Sequence, residues 1–473
     1  MTTYGFSIKH VFLLCLILLF AGCGASLKSQ YQTPATTVLP SWNHQSNVVD
    51  SQRQDLWWQG FEDETLNRLV DEVLAANNDL AAATILVRRA WSRAGLAHSA
   101  LSPSLSAKGS GAISHGLGGS DQGEVRSFSL AGAVGYEVDL WGKLGSTSDA
   151  ASWQAQASEE DLAATALSLV ATTASSYFQL AYLNGRIHQS EQSIAYARRT
   201  LELVEVKKAA GAATKLEVME ATRSLASQEA GHTVLLQQRE ESRNTLAILL
   251  NGPPREVLAK EPQELSESRI PSVDAGLPAE LLARRPDLRA AELRLRAALA
   301  STDATRTSYY PTFSLTGNFG SSSTALRDLL SNPVAALGAQ LALPFLEWQD
   351  MQRNIKISES EYEEAIVRFR QTLYTAMADV ENSLSARMQY QDQAVQLELA
   401  LTSARSAEDL YLVRFQAGSV PLKSWLDAQE NRRQAEVALA QNRYNRIINH
   451  ITLAKALGGD SQRVGETAAG SVQ

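Results

Sequence analysis

Hydrophobic positions along this chain follow three rhythms: one unbroken run, several stretches with a period of two, and long stretches with a period of seven. The unbroken run, Val11 to Phe20, covers ten residues, whereas a helix crossing a bilayer needs about 20. Lys9 precedes it and Ala21 and Gly22 follow, the basic, apolar, small-residue order of a secretory signal peptide over 1–22. The period of two is clearest in SFSLAGAVGYEVDL (127–140). There Phe128, Leu130, Val134, Tyr136, Val138 and Leu140 share one face, opposite Ser127, Ser129, Ala131, Ala133, Gly135, Glu137 and Asp139. It returns in Phe313, Leu315 and Phe319 against Thr312, Ser314, Thr316 and Asn318, and in Leu337, Leu341, Leu343 and Phe345. Residues 104–113 alternate less clearly. Strands of about ten residues with this dyad are those of a transmembrane β-barrel. They are expected at about 104–113, 127–140, 312–319 and 334–346, with GLGGSDQG (116–123) and GSSSTALRDLLSN (320–332) as loops at the outer end.

The period of seven predicts long helices. Leu180, Ile187, Ile194 and Leu201 recur at that spacing, as do Leu162, Leu169 and, past Ser176, Leu183, the seam of a coiled coil. No proline falls between Pro103 and Pro253 or between Pro344 and Pro421, so nothing interrupts such helices. One helix over 143–208 would span roughly 100 Å at ~1.5 Å per residue, more than a globular domain requires. Gly211 and Gly418 mark the helical turns, since glycine takes the left-handed conformation that ends a helix.

The strands and helices recur in two copies. Asp79-Leu80, Ala82-Ala83 and Pro103 return as Asp287-Leu288, Ala290-Ala291 and Pro311, displaced by 208 positions. Gly211, Glu220-Ala221 and LAILLNG (246–252) overlie Gly418, Asp427-Ala428 and LAKALGG (453–459) at a displacement of 207. A displacement held to within one residue at separated places is a tandem duplication. The chain divides into an N-terminal segment 23–55, a first repeat 56–250, an insert 251–280, a second repeat 281–459 and a tail 460–473. Four strands per chain are too few for a soluble sandwich carrying such helices. They are also too few for a barrel, because open edges would leave backbone groups unsatisfied in lipid. Two copies would supply eight strands, and three would supply twelve, enough to begin to leave a lumen.

Composition sharpens the picture. Cys15 lies inside the signal, so Cys23 is the single cysteine of the mature chain, which excludes a disulfide framework and a thiolate metal cluster. The 51 acidic and 43 basic side chains give a net charge of −8, with no general attraction to nucleic acid. Past residue 23 no segment approaches 18 consecutive apolar residues, so the body of the protein enters a membrane only as strands. The basic run in LLARRPDLRAAELRLR (281–296) is interleaved with acids, and Pro286 stands where a helix begins. WGKL (141–144) lacks the glycine and the hydroxyl residue of a phosphate loop. The histidines at 44, 98, 115, 188, 232 and 450 show no pair at metal-ligand spacing. Trp42, Trp57 and Trp58 read as packing anchors. No catalytic constellation, metal or cofactor is expected, and the protein does not read as an enzyme.

FAGC (20–23) resembles the lipobox of bacterial lipoproteins, with Phe20 where leucine is usual; Cys23 is then the acylated mature N-terminus and the only covalent addition expected. Gly24, in place of aspartate, suggests delivery to the outer membrane. LWWQGFEDETLNRLVDEVLAANNDL (56–80), YEVDLWGKL (136–144), LLARRPDLRAAE (281–292), YYPTFSLTGNFG (309–320), RFQAGSVPLKSWLDAQ (414–429) and LAKALGG (453–459) together resemble the TolC-type outer-membrane efflux proteins, in the NodT-like or OprM-like lipoprotein branch. LPFLEWQD (343–350) departs from the PLFDGG-like stretch usual there, which puts the exit of the fourth strand in doubt.

The resemblance implies an α+β fold in a homotrimer, with a twelve-stranded barrel in the outer membrane, a helical barrel through the periplasm and the insert in an equatorial belt. It implies an exit duct for an inner-membrane pump, most often of the RND type, joined by a periplasmic adaptor that docks near Gly211 and Gly418. A type I protein secretion duct and an adaptor lipoprotein are the alternatives. A duct must close when undocked. Arg405, Glu408 and Asp409 precede Gly418, and under threefold symmetry they form charged rings suited to a periplasmic gate. Equally, they could simply solvate a helix face. The first copy has Arg198 and Glu202 at the positions of Arg405 and Asp409, and nothing acidic opposite Glu408.

Overall fold

A computed structural model describes residues 27–44, 56–115, 124–254, 261–265, 270–271, 275–276 and 278–459. The signal run, Cys23, the 116–123 loop, parts of the insert (255–260, 266–269, 272–274 and 277) and the 460–473 tail lie outside them. The described elements are α1 (Glu64–Ala76), α2 (Asn78–Ser99), β1 (Ser104–Ser114), β2 (Val125–Val138), α3 (Lys143–Ala209), α4 (Lys215–Leu249), α5 (Leu281–Arg284), α6 (Pro286–Ser308), β3 (Thr312–Ser323), β4 (Val334–Ala342), α7 (Trp348–Gln416) and α8 (Leu422–Ala456). The order helix, two strands, long helical hairpin occurs twice.

Two compact units divide the chain. The first takes the described residues up to Thr36, Leu86–Glu159 and Arg289–Gln371. It holds an antiparallel sheet in the order β1-β2-β3-β4, in which register carries the alternation across every strand. One face bears Leu105, Ile113, Phe128, Leu130, Val134, Phe313, Leu315, Phe319, Leu337 and Leu341. The other bears Ser104, Ser106, Ser110, Ser129, Ala133, Thr312, Ser314, Thr316, Asn318, Ala336 and Gln340. Ser110 and Ser129 join hydroxyls at 2.7 Å on the polar side. On the oily side the Phe319 ring covers Gly132 so closely that a Cβ there would collide with it. Beside the helices, Ser29 donates from its backbone N–H (2.8 Å) and hydroxyl (2.7 Å) to the buried Asp303 carboxylate.

β1 ends one residue later and β2 begins two residues earlier than expected, at Ser114 and Val125; three other strand ends differ, each for a local reason. β2 stops at Val138 rather than 140 because Asp139 turns to accept from the backbone N–H of Leu144 (3.1 Å) and Gly145 (2.7 Å), capping α3. β3 runs on to Ser323, since residues 320–323 keep their ladder with β2; only the remainder of 320–332 is loop. β4 ends at Ala342 rather than 346, where Pro344 lacks the N–H a ladder requires and opens a 3-10 turn, Pro344–Leu346, leading into α7.

The second unit comprises Thr37–Ile85, Glu160–Leu288 and the described residues from Thr372. The sevenfold seam is its core: Leu162, Leu169, Ser176, Leu180, Leu183, Ile187 and Ile194 are all buried. A second cluster gathers Trp42, Leu281, Leu288, Leu373, Val380 and Leu453, and Trp57 and Trp58 are buried too. Of the insert, Glu261 is pinned by Arg243 (2.7 and 3.0 Å) and Asn184 (3.1 Å). The repeat extends to single hydrogen bonds: Ser242 Oγ donates to the Ser176 carbonyl (3.5 Å), and 207 residues on, Asn449 Nδ2 donates to that of Ser383 (3.0 Å).

His450 sits in this unit with its ring 5.2 Å from Phe61 and its Nε2 without a hydrogen-bond partner. Burial, and then the Arg387 charge, push its pKa down to about 4 from 6.5. The unfolded chain therefore takes up the proton first as pH falls. Stability is intact above pH 6.5 and drops between 6.5 and 4, by up to about 3 kcal/mol. Thermal melts at about pH 7.5 and 5 are expected to show this loss in the wild type and a smaller one in His450→Gln.

Candidate functional site

Two regions bear on function: the small and polar face of the sheet, and the ends of the helical hairpins. Both hairpins end alike. Gly211 (φ +76°) and Gly418 (φ +71°) are left-handed. Their N–H groups donate to Lys208 and Phe415 (both 3.0 Å), while Ala212 and Ser419 donate to Lys207 (2.8 Å) and Arg414 (2.9 Å). This is the Schellman closure, which a side chain at either glycine would strain. The return helices start differently. Thr214 and Glu217 form a capping box on α4, whereas Pro421 starts α8 without a side-chain cap. Thr214→Ala is accordingly expected to cost about 1 kcal/mol, read as a lower melting temperature with the fold retained.

The two turns share one apolar cluster of Val204, Val218, Ala221, Phe415, Leu422 and Trp425. Phe415 and Trp425 stack at 5.2 Å, Tyr196 meets Trp425 edge-on at 6.3 Å, and Lys207 Nζ lies 4.2 Å from the Phe415 ring centre.

Above this cluster lies an ionic group drawn from three helices. Arg432 on α8 donates to Glu408 on α7 and, through one nitrogen, to both carboxylate oxygens of Glu436 (2.8 and 2.9 Å). Glu436 also accepts from Arg405 (3.2 Å) and from Gln189 on α3 (3.1 Å). Glu408 is only 6% exposed. Burial lowers the Arg432 pKa, but Glu436 and Glu408 outweigh it and hold it above the usual value. Burial and then Glu408 raise the Tyr196 phenol. Of the three residues singled out before Gly418, the structure brings Arg405 and Glu408 into this group and leaves Asp409 exposed on the helix surface.

Sequence reasoning alone does not single out Arg432, Glu436 and Gln189, although the duplication carries the signal. Arg198 donates to Glu229 at 2.7 Å, the counterpart of Arg405 and Glu436 at a displacement of 207. At that displacement Glu408 and Arg432 fall on Leu201 and Leu225. The second hairpin thus carries an ion pair of buried Glu408 and half-buried Arg432 where the first carries two leucines. Among the described residues no group of three or more His, Cys, Asp or Glu side chains is placed to hold a metal ion.

Residues 69–252 and 277–459, one stretch per repeat, match the family described as outer membrane efflux protein. The pyoverdine export outer membrane protein OpmQ of Pseudomonas aeruginosa is 33% identical over 472 residues, covering 96% of this chain and 98% of its own. The CmeC outer membrane channel of Campylobacter jejuni superposes with a TM-score of 0.85 at 25% identity, over 93% of this chain and 98% of that one. The open-state MtrE outer membrane channel of Neisseria gonorrhoeae gives a TM-score of 0.77 at 28% identity, over 92% and 98%.

Proposed function

Because the chain belongs to the outer membrane efflux protein family and is an outer-membrane efflux channel, we propose that three copies close into one pore and serve as the passive exit duct of a tripartite pump. The observation that carries this reading is the sheet. It has one oily face, one small and polar face, and two free edges, β1 and β4, with no further strand beside them among the described residues. Free edges are costly in lipid. Antiparallel pairing of β1 with β4 of the next copy removes them all, and three copies give twelve strands around a wet interior.

Energy for export comes from an inner-membrane transporter of the RND type, and a periplasmic adaptor bridges the two at the turns around Gly211 and Gly418. Acylation of Cys23 adds a lipid anchor to the barrel. Arg405, Glu408 and Asp409 belong to the periplasmic gate, with Glu408 acting through its half-buried partner Arg432 and with Arg405 and Asp409 on the exposed surface. The family's members are channels, and no reaction chemistry is needed for this role.

Single-channel conductance in planar bilayers, with oligomer mass measured in the same detergent, tests the proposal. Trimers that insert and conduct are expected. Natively folded monomers that never conduct would overturn it.

A further inference from the structure

The polar face of the sheet has an uneven charge. Across β1 to β4 its charged side chains, among the described residues, are Lys108 and Glu137. Glu137 is neutralised by Lys143 at 2.6 Å. Lys108 has no such partner among the described residues: it faces Ala131 across the β1–β2 ladder, between Ser106 and Ser110 on its own strand. It stands four residues beyond Ser104, the end of β1 nearest α2, and six before Ser114. At ~3.4 Å per residue that is about 14 Å along the strand, near the middle of the membrane depth. A lysine facing lipid there is strongly disfavoured, so its face must be the wet one. Closing the barrel supplies no counter-charge. The edge strand that β1 would meet carries Val334, Ala336, Gly338, Gln340 and Ala342 on that face, without a carboxylate.

We propose that Lys108 sets the charge selectivity of the pore: three copies form a cationic ring midway through the outer-membrane barrel. Anionic solutes, such as those bearing carboxylates, then cross the barrel more readily than cations of the same size. The inference rests on the threefold reading above. A ring of fixed charge in a water-filled pore raises the local concentration of the opposite ion and lowers that of its own sign. Three unit charges about 10 Å from the axis, screened over a Debye length of ~10 Å, favour chloride over potassium by roughly fourfold.

The test is the reversal potential of single channels in a potassium chloride gradient. Lys108→Gln is expected to lower the chloride-to-potassium permeability ratio by about fourfold, Lys108→Glu by roughly sixteenfold, and Lys108→Arg not at all. Ser106→Lys, which adds a second ring on the same face, is expected to raise the ratio by about fourfold. It decides the matter independently if the acidic variant fails to assemble. Conducting trimers in which neither Lys108→Gln nor Ser106→Lys moves the ratio would overturn the ring and leave the duct reading intact. A wild-type protein that forms neither trimers nor pores would overturn both.

Discussion

Leu337→Arg is expected to keep the protein out of the outer membrane. Leu337 lies in the middle of β4 on the oily face and is 94% exposed in the single chain, opposite a glycine, Gly317, that offers a charge no shelter. An arginine on the lipid face near the bilayer midplane costs about 2–4 kcal/mol. In the proposed threefold assembly that cost is multiplied by the number of copies, to on the order of 10 kcal/mol per pore, comparable with the whole stability of a domain. The neighbouring Ala336 points to the other face, and Ala336→Arg is expected to be tolerated. Membrane fractionation of the two variants checks the pair. Equal insertion would mean that the oily face is not the lipid face.

The second large effect concerns the ionic group above the hairpin turns. Arg432→Leu removes the partner of a carboxylate that is almost fully buried, since Glu408 donates nothing and accepts from Arg432. Breaking a buried pair from one side typically costs about 3–5 kcal/mol. Glu436 is cushioned by its bonds from Arg405 and Gln189, so the expected loss is about 3 kcal/mol. Glu408→Leu combined with Arg432→Leu reproduces the pair of leucines that the first hairpin carries at Leu201 and Leu225 and is expected to recover most of that loss. Melting of the wild type, both single variants and the double variant completes the cycle. If the double variant is no more stable than Arg432→Leu, the pair is not acting as a coupled unit. Conductance of the same proteins tests the gate: a double variant that melts like the wild type yet leaks would place gating, rather than stability, in the ion pair.

Much of this architecture is written in the sequence, because helices and strands bury different periods. The leucine and isoleucine seam of α3 is buried from Leu162 to Ile194 as its sevenfold spacing requires, with Leu201 only half-buried, and Gly211 and Gly418 close both hairpins. The strand at 104–113 is faint in the sequence for a reason the sheet supplies. Its oily face includes Ala107, Gly109 and Gly111, and the bulk missing there comes from Leu130 and Phe128 across the ladder, the atoms nearest a Cβ at those two glycines. Alternation within one strand cannot show a neighbour's side chain. The end of β4 is misleading in the sequence because the oily alternation of Leu343 and Phe345 runs past the proline that ends the ladder. Glu408 is legible as a charge but not as a buried one, since its partner lies 24 residues away on the antiparallel helix. Lys108 becomes legible only once register assigns it a face.

The polar face of the sheet also fixes what a passing molecule meets. In the proposed trimer, twelve strands ~4.8 Å apart and tilted by about 40° would enclose a backbone cylinder roughly 24 Å across. Apart from Lys108, Glu137, Asn318 and Gln340, the residues of this face are mostly serine, glycine, alanine and threonine, which reach little distance inward from the cylinder. The bore is therefore set by the number of strands rather than by residue choice, and its width is shielded from drift in sequence: exchanging one small residue for another leaves the cross-section almost unchanged. A single bulky replacement is repeated three times around the same circumference. Narrowing such a pipe takes one mutation, whereas widening it takes another strand.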